Sequence, residues 1–445
     1  FGSSCACSSN FGLSYTSRVQ RVMGRGSTLW AALFLEQVVL STACTYVESV
    51  YSGQERIIGR TMELGQEPAH ITNWQFQVHP RGESFVKSLT PGVERAVKLT
   101  HVSKYGFVSI DFDIPRIEIP IFGVNQSLDI FGYSPSDGMN EHGLTVSANK
   151  FNMAAFQKSC VLDPSKERVW QWKFVQWVLG EFQAISELLE MLEHTCVHND
   201  WIIPSSFDGF HWAVTDMTGR SGVIEYEGGE LHYYENKVGV MTNDPSYPWQ
   251  VMNLNQYPFV SPLWPTGNMP PGAGTSAKVE VSTDEAGAVP NALISSRPGR
   301  KGGSHGFNLR GLPGDLTPAS RFVRTFFLKQ YANQEAPWKT EQQGVAGVKG
   351  LLNGAWITKG ILASAGTPLD GTFEAEYTPW TVVKVPKLRH FYFSSYMNPR
   401  WQFVNMTRLD FGIEHQPIQV EVPSELGLYD LTEEANQSRK RSVLV

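Results

Sequence analysis

The stretch STACTYVESVYSGQERIIGRTME, residues 41–63, contains two short runs of strand-forming residues. Cys44-Thr45-Tyr46-Val47 makes up the first run, and Arg56–Met62 makes up the second. β-Branched and aromatic residues favour strands, and the Ser52-Gly53 pair between the runs tolerates a tight turn. The stretch therefore predicts a β-hairpin whose first strand begins close to Cys44.

The segment before Cys44 differs in composition from the rest of the chain. Residues 1–28 contain arginine but no Asp or Glu, and an apolar run, Leu29–Leu35, follows them. Ser41-Thr42-Ala43 places small residues at the positions that a signal peptidase reads. We therefore predict that residues 1–43 are a removable leader, either a signal peptide or an organelle transit peptide. The first would make the protein secreted, periplasmic or lumenal, and the second would direct it to an organelle.

Cleavage after Ala43 would give Cys44 both a thiol and a free α-amino group. The reference pKa of an α-amine is about 8, close to the value of about 8.5 for a thiol. One residue could then supply the nucleophile and its base, as in N-terminal nucleophile enzymes. From the spacing alone, the cysteine could equally stand at this point by accident.

The overall composition excludes several classes of protein. Only 18% of the 445 residues are charged and the net charge is −6, so a basic nucleic-acid-binding surface is not expected. Hydrophobic residues make up 41% of the chain, an ordinary share for a globular core. Beyond the leader, no segment approaches about 18 uninterrupted apolar residues, so we predict no integral membrane span in the mature chain.

One cluster of residues has a spacing that could hold zinc. His194 and His198 stand four residues apart around Cys196. No second ligand cluster accompanies them, and a helix end with incidental histidines explains the spacing equally well. We therefore predict no metal site.

The remaining pattern alternates between strands and a few helices. Apolar residues recur at helical spacing over Arg168–Phe182 and Ile185–His194, and Thr317-Pro318 supplies an N-cap and first turn for a helix through about Tyr331. Residues 258–310 are rich in Pro, Gly and Ser, which predicts a long loop or insertion. Two strand-rich groups with helices between them indicate an α+β fold of stacked sheets covered by helices.

Five motifs, in order along about residues 44–410, resemble the choloylglycine hydrolase family, which includes conjugated bile salt hydrolases and penicillin V acylases. The motifs are Cys44-Thr45 with Gly59–Glu63, Asp137–Leu144, His211–Gly219, Gly239–Pro245 with Asn253–Tyr257, and Gly311–Phe322. The resemblance implies the four-layer αββα fold of N-terminal nucleophile hydrolases. The catalytic domain would then span 44–411, with the insertion at 258–310 and a C-terminal tail at 412–445.

The resemblance also implies a role for each matching residue. Cys44 would attack an amide carbonyl, and Arg60 and Arg321 would be fixed cations that favour its thiolate. Glu63, where the family commonly has Asp, would hold the α-ammonium group. Asn243 would donate a hydrogen bond to the developing oxyanion.

A second oxyanion donor is less well defined in the sequence. Lys150 occupies the column in which bile salt hydrolases carry an Asn, and Asn149 stands one residue earlier. Because one step along a strand changes the face of the sheet, either the register slips or a main-chain donor substitutes.

The predicted function is hydrolysis of a linear acyl-amide C–N bond through a cysteinyl thioester. The alternatives are an acylase for acyl-homoserine lactones or N-acylethanolamines, and a catalytically inactive binding protein of the same fold. The chemistry implies a small-molecule acyl-amide substrate and no cofactor, and the resemblance implies a homotetramer.

Overall fold

The structure is a computed structural model that describes residues 42–64, 74–90, 97–113, 117–121, 124–128, 133–157, 163–199, 209–262, 309–332, 337–362 and 376–420. The first eight strands are β1 Thr42–Tyr51, β2 Glu55–Leu64, β3 Trp74–His79, β4 Ser84–Thr90, β5 Val97–Val102, β6 Phe107–Asp113, β7 Ile117–Ile121 and β8 Val124–Leu128. The next eight are β9 Tyr133–Asn140, β10 Thr145–Phe151, β11 Glu167–Trp170, β12 Thr195–His198, β13 Gly209–Thr215, β14 Ser221–Glu227, β15 Glu230–Glu235 and β16 Val240–Met241. The last four are β17 Tyr377–Val385, β18 His390–Ser395, β19 Gln402–Asn405 and β20 Ile418–Val420. The α-helices are α1 Phe174–Glu181, α2 Ile185–Leu192, α3 Tyr247–Asn253, α4 Pro318–Ala332 and α5 Glu341–Asn353.

The predicted hairpin is confirmed and lies inside a six-stranded sheet, here called sheet I. Strands β1 and β2 pair antiparallel with Cys44 opposite Met62. The turn between them places Ser52 at φ 47° and Gly53 at φ 93°, the left-handed region in which glycine carries no steric cost. The strand order of sheet I is β16-β1-β2-β17-β18-β19, so the strand that begins near Cys44 is covered on both edges.

A second, eight-stranded sheet, sheet II, packs against the first. Its strand order is β15-β14-β13-β10-β9-β6-β3-β20. Apolar side chains from both sheets form one buried cluster between them, which includes Cys44 and Trp380 from sheet I and Phe76, Ile110 and Met139 from sheet II. The nucleophile candidate therefore lies between the sheets.

Helices cover the outer face of each sheet. Helices α4 and α5 contact β1, and α5 also contacts β2, on sheet I, whereas α1 contacts β9 and β10 on sheet II. Trp177 and Leu179 of α1 pack in one cluster with Val146 of β10, and Val348 and Leu352 of α5 pack with Ile57 of β2. The order helix–sheet–sheet–helix confirms the predicted four-layer αββα fold. None of the helices in the described ranges is long and apolar enough to cross a membrane.

Two local predictions differ from the structure, and one is confirmed. The helix beginning at Thr317-Pro318 is present as α4. The predicted helix over Arg168–Phe182 is wrong in its first part, because Glu167–Trp170 is a strand paired in parallel with β12 and α1 begins only at Phe174. Helix α2 ends at Leu192, before His194.

The predicted domain limits fall mostly on residues that the structure does not describe. Residues 1–41 of the leader, 263–308 of the insertion and 421–445 of the tail lie outside the described residues. Within the predicted tail, Ile418–Val420 forms β20, which pairs with β3 at the edge of sheet II.

Candidate active site

The two faces of β2 carry different parts of the site. A Cβ placed on Gly59 would lie 2.3 Å from Val348 of α5, so Gly59 faces the helix layer. Since side chains alternate along a strand, Thr61 and Glu63 face the helices as well, and Arg60 and Met62 face sheet II. Cys44 is the register partner of Met62, which places its thiol on the inner face.

Cys44 is buried and makes contacts through both its thiol and its main chain. Its side chain is free of disulfide bonds, and the residue is 1% exposed. The sulfur lies 3.5 Å from Arg60 Nη2 and 3.3 Å from Met62 Sδ. The main-chain N–H, a peptide amide in the uncleaved chain, donates to Asn243 Oδ1 at 2.8 Å.

Arg60 is a fully buried cation that is held from several sides. Its Nε donates to Asn149 Oδ1 at 3.0 Å, and its Nη2 also donates to the main-chain oxygen of Ala148. The guanidinium carbon lies 4.9 Å from the ring centroid of Trp380, a cation–π arrangement. These contacts fix the guanidinium group beside the sulfur.

Arg321 reaches the same cysteine from the helix side. Its Nη1 donates to the main-chain oxygen of Cys44 at 2.8 Å and to Thr45 Oγ1 at 2.6 Å. Its Nη2 donates to Asn243 Oδ1 at 2.8 Å. Arg321 thus orients the main chain of Cys44 and the amide of Asn243 without an observed contact to the sulfur.

Asn243 joins three elements of the site. Its Oδ1 accepts from Cys44 and Arg321, and its Nδ2 donates to the main-chain oxygen of Lys150 at 2.8 Å. An amide nitrogen carries two hydrogens, so Nδ2 can donate two hydrogen bonds.

Glu63 lies buried on the helix face, directly across the strand pair from Ala43. Its Oε1 accepts from the Thr378 hydroxyl at 3.2 Å, whereas Oε2 has no hydrogen-bond partner among the described residues. Burial raises the pKa of this carboxyl to about 8, an effect that the nearby Arg321 opposes. Among the residues that the structure describes, no cationic group forms a hydrogen bond with this carboxyl.

The two candidates for the second oxyanion position face opposite sides of β10. Asn149 shares its face with Ser147, whose hydroxyl contacts Asp137. The amide oxygen of Asn149 accepts from Arg60, and its amide nitrogen donates to the main-chain oxygen of Thr242. Lys150 shares its face with Ala148 and Val146, which pack against the helices. The strand has no register shift here, so only Asn149 directs its side chain into the site, while Lys150 contributes its main-chain oxygen.

Burial dominates the electrostatics of the thiol. Desolvation raises the pKa of Cys44, and the charge of Glu63 raises it further. Arg60, Arg321 and the main-chain N–H of Glu63 lower it, but their combined effect is smaller. The expectation that the two arginines would favour the thiolate is correct in direction, yet burial outweighs them, so a base is needed to take the thiol proton.

A buried polar network behind Arg60 was missed in the sequence. Asp137 Oδ2 lies 3.8 Å from Arg60 Nη1, and Asp137 Oδ1 accepts from Lys384 Nζ at 2.6 Å. Ser147 Oγ donates to Asp137 at 2.6 Å and accepts from Lys384 at 2.9 Å. The signal in the sequence is a lone lysine in the apolar run Trp380-Thr381-Val382-Val383-Lys384-Val385.

A second buried pair supports the strand end that carries Asn243. His211 Nε2 lies 3.0 Å from the main-chain oxygen of Thr242, and Nδ1 lies 2.8 Å from Glu225 Oε1. A carbonyl oxygen can only accept, so Nε2 carries a proton in this arrangement. Glu225 also accepts the main-chain N–H of Tyr247 at 3.0 Å, which ties β13, β14 and α3 together beneath Asn243.

Two residues of the cluster whose spacing could hold zinc have other partners. Cys196 is disulfide-bonded, and His198 contacts Ser88 Oγ through Nε2 at 2.7 Å and the main-chain oxygen of Asn199 through Nδ1 at 3.1 Å.

Comparisons with known proteins identify the family and the fold of this chain. The family model described as "Linear amide C-N hydrolases, choloylglycine hydrolase family" matches residues 44–270 and 300–420. A bile salt hydrolase/transferase from Clostridium perfringens is 27% identical over 277 residues, which are 61% of this chain and 73% of that protein. A variant of the conjugated bile acid hydrolase from Clostridium perfringens has a similar fold, with a TM-score of 0.65 and 21% identity over 87% of this chain and 100% of that chain. Penicillin V acylase from Agrobacterium tumefaciens gives a TM-score of 0.55 with 18% identity, over 87% of this chain and 94% of that chain.

Proposed function

The chain belongs to the choloylglycine hydrolase family of linear amide C–N hydrolases, and we propose that Cys44, freed as the N-terminal residue, is its nucleophile. One observation carries this proposal: Arg60 from β2, Arg321 from α4 and Asn243 after β16 all contact Cys44. Groups from three elements therefore converge on one cysteine, Arg60 on its thiol and Arg321 and Asn243 on its main chain.

Removal of residues 1–43 supplies the base that the buried thiol needs. Once the peptide N–H of Cys44 becomes an amine with a reference pKa of about 8, it can take the thiol proton near neutral pH. Glu63 lies opposite Ala43, and its Oε2 has no hydrogen-bond partner among the described residues, which supports a role in holding the resulting ammonium group. The buried carboxyl then gains a cationic partner that it lacks among the described residues of the uncleaved chain.

The reaction proceeds in two balanced steps. The sulfur bonds to the amide carbonyl carbon while the α-amine accepts the thiol proton, and the oxygen becomes an oxyanion that accepts a hydrogen bond from Asn243 Nδ2. The C–N bond then breaks, the departing amine takes the proton, and a thioester remains on Cys44. Water, deprotonated by the same amine, hydrolyses the thioester to a carboxylic acid and restores the thiol.

The substrate is a linear amide with an acyl chain on the carbonyl side. The named relatives act on conjugated bile salts or penicillin V, so these two and a long-chain acyl amide form the panel for testing substrate preference.

The disulfide at Cys196 supports an oxidising compartment for the mature protein. Disulfides persist in secreted, periplasmic and lumenal proteins and are rare in the cytosol. This favours the signal-peptide interpretation of residues 1–43 over an organelle leader. Alkylating free thiols in intact cells before lysis, followed by intact-mass measurement, tests it: a chain with Cys196 alkylated would argue against this location.

The test of the nucleophile compares two preparations, one beginning at Cys44 and one that retains residues 1–43. The first should form an acyl adduct on its N-terminal peptide with penicillin V or an activated acyl ester, detected by mass spectrometry, and the second should not. Cys44→Ala should abolish the adduct and turnover, whereas Cys196→Ala should keep both. Equal turnover by the uncleaved chain would rule out the α-amine mechanism.

A further inference from the structure

Lys384 is a buried lysine whose charge has no direct contact with Cys44. It lies on β17 with its side chain on the inner face of sheet I, and its side chain is 0% exposed. Burial alone lowers the pKa of its ammonium group, and Asp137 opposes that effect. A charged side chain in a dry interior is costly unless it is paired, so its presence calls for a reason.

Lys384 and Arg60 compete for the same carboxylate. Asp137 Oδ1 lies 2.6 Å from Lys384 Nζ, and Asp137 Oδ2 lies 3.8 Å from Arg60 Nη1. Ser147 donates to Oδ2, the oxygen that faces Arg60, and accepts from Lys384. The carboxylate is therefore hydrogen-bonded to Lys384 and Ser147, and it makes only a long ion pair with Arg60.

The charges in this network balance only when Cys44 is ionised. Two cations, Arg60 and Lys384, face one carboxylate, Asp137, which leaves one positive charge in a fully buried cluster. The thiolate of Cys44, 3.5 Å from Arg60, would neutralise it. Without Lys384, the carboxylate of Asp137 would cancel the charge of Arg60 and leave the thiolate uncompensated.

We propose that Lys384 is a positioning residue for the hydrolase. It pairs with Asp137, so that the positive charge of Arg60 stabilises the Cys44 thiolate instead of the carboxylate. The proposal rests on Cys44 being the nucleophile. The other charged groups around the thiol are the α-amine of Cys44 itself in the cleaved chain, Glu63 on β2 and Arg321 on α4, and among the described residues none of them contacts Lys384 or Asp137. Their effects should therefore be equal in all the variants below.

Alkylation of Cys44 by iodoacetamide, an uncharged probe, tests the proposal. The rate is measured between pH 5 and pH 10 on enzyme that begins at Cys44, with the N-terminal peptide quantified by mass spectrometry. Lys384→Met removes one positive charge, so the apparent pKa should rise by about one unit and the rate at pH 7 should fall about tenfold. Asp137→Asn removes the competing carboxylate and should raise the rate at pH 7.

The double variant Asp137→Asn/Lys384→Met restores the net charge and should return the rate to within about threefold of the wild type. Lys384→Arg keeps the charge and should retain the wild-type pH profile. If Lys384→Met does not accumulate as folded protein, Asp137→Asn and the double variant carry the comparison.

Lys173→Met is the matched control, because Lys173 is another buried lysine and its charge acts on Asp111 instead. It should lower the melting temperature without changing the alkylation profile. An unchanged profile in Lys384→Met, a slower rate in Asp137→Asn, or an equal shift in Lys173→Met would overturn the proposal. Alkylation reports on the thiol and not on amide turnover, so failure of the proposed reaction would be seen separately.

Discussion

Asn243 connects the main chain of Cys44, Arg321 and the strand that carries Lys150. Its oxygen accepts from the Cys44 main chain and from Arg321, and its nitrogen donates to the Lys150 carbonyl. All four groups are buried, so the amide is held in one orientation before any substrate binds. A donor fixed in advance is the arrangement that stabilises a developing oxyanion most effectively.

Asn243→Ala should reduce kcat about 10²–10³-fold, about 2.7–4 kcal/mol, because it removes an oxyanion donor. Turnover should be normalised to the number of active sites that form an acyl adduct. Asn236→Ala is the control: Asn236 is also buried and bonds Gly239 and Tyr247, so its loss should lower the melting temperature and spare kcat. Equal kcat losses in the two variants would assign Asn243 a structural role only.

Glu63 should make the stability of the uncleaved chain depend on pH. Its pKa is about 8 in the folded state, above the value of about 4.3 in the unfolded state. Its favourable contribution to the free energy of unfolding is therefore complete below about pH 4.3 and is lost as the pH rises towards 8. In a Cys44→Ala chain that retains residues 1–43, the melting temperature should fall between pH 5 and pH 8, and Glu63→Gln should reduce that fall.

Thermal unfolding at the two pH values measures this difference. Glu230→Gln, a change at an exposed position, should not alter the decrease in melting temperature between pH 5 and pH 8. In a chain that begins at residue 44, the new ammonium group should reverse the sign, so that Glu63→Gln destabilises the protein at pH 8. The same pH dependence in the wild-type and Glu63→Gln uncleaved chains would contradict the prediction.

Among the elements, helix α4 connects the site to the outer layer. It begins at Pro318 after Thr317, whose hydroxyl accepts from Ser320 N at 3.4 Å, and its first turns carry two buried arginines. Arg321 points to Cys44 and Asn243, and Arg324 donates to the main-chain oxygens of Gly354, Pro313 and Asp315. Arg321 is therefore a candidate for a functional role, and Arg324 is a candidate for a structural role.

Arg321→Ala should abolish most acylation of Cys44, because it releases Asn243 and the Cys44 carbonyl together and leaves buried acceptors without a donor. Arg324→Ala should lower the melting temperature by breaking its hydrogen bonds to carbonyl oxygens while folded molecules still acylate. The measurement is the acylated fraction of folded protein at one temperature below both melting points. If Arg324→Ala loses acylation to the same extent, the effect belongs to the whole helix and not to Arg321.

At the scale of the whole molecule, the site lies between two sheets, and the segment that joins Asn243 to Arg321 in sequence includes residues outside the described ranges. The chain leaves the described region after residue 262 and returns at 309. The family model leaves residues 271–299 unmatched, inside the predicted insertion at 258–310. Loops on a rigid scaffold commonly determine specificity.

Replacing residues 266–304 with a short Gly-Ser linker should preserve thioester formation, since the described catalytic candidates all lie elsewhere. Loop shortening should be tolerated thermodynamically. The relative rates on a bile-salt conjugate, penicillin V and a long-chain acyl amide should change. Unchanged ratios would make the insertion a spacer, and loss of acylation would mean that it carries a catalytic group.

Local patterns in the sequence predict a large part of this protein. The Ser52-Gly53 turn, the alternating strands and the Thr317-Pro318 helix start depend on short-range preferences that packing did not override. The ordered motifs also brought Cys44, Arg60, Asn243 and Arg321 together as candidates, although those positions are up to 277 residues apart. The strand at Glu167–Trp170 could not be predicted in this way, because its partner β12 lies beyond two helices.

Only the tertiary structure decided which side chains share a face and how deeply they are buried. The choice between Asn149 and Lys150 depends on the register of β10 against β13, which is set by packing between the sheets. Lys384 and Asp137 are 247 residues apart in sequence, and no sequence spacing predicts their contact. Burial, a property of the folded molecule alone, raises the pKa of Cys44 despite two nearby arginines. The sequence motifs therefore identify the candidate reactive groups, and the packing determines their protonation.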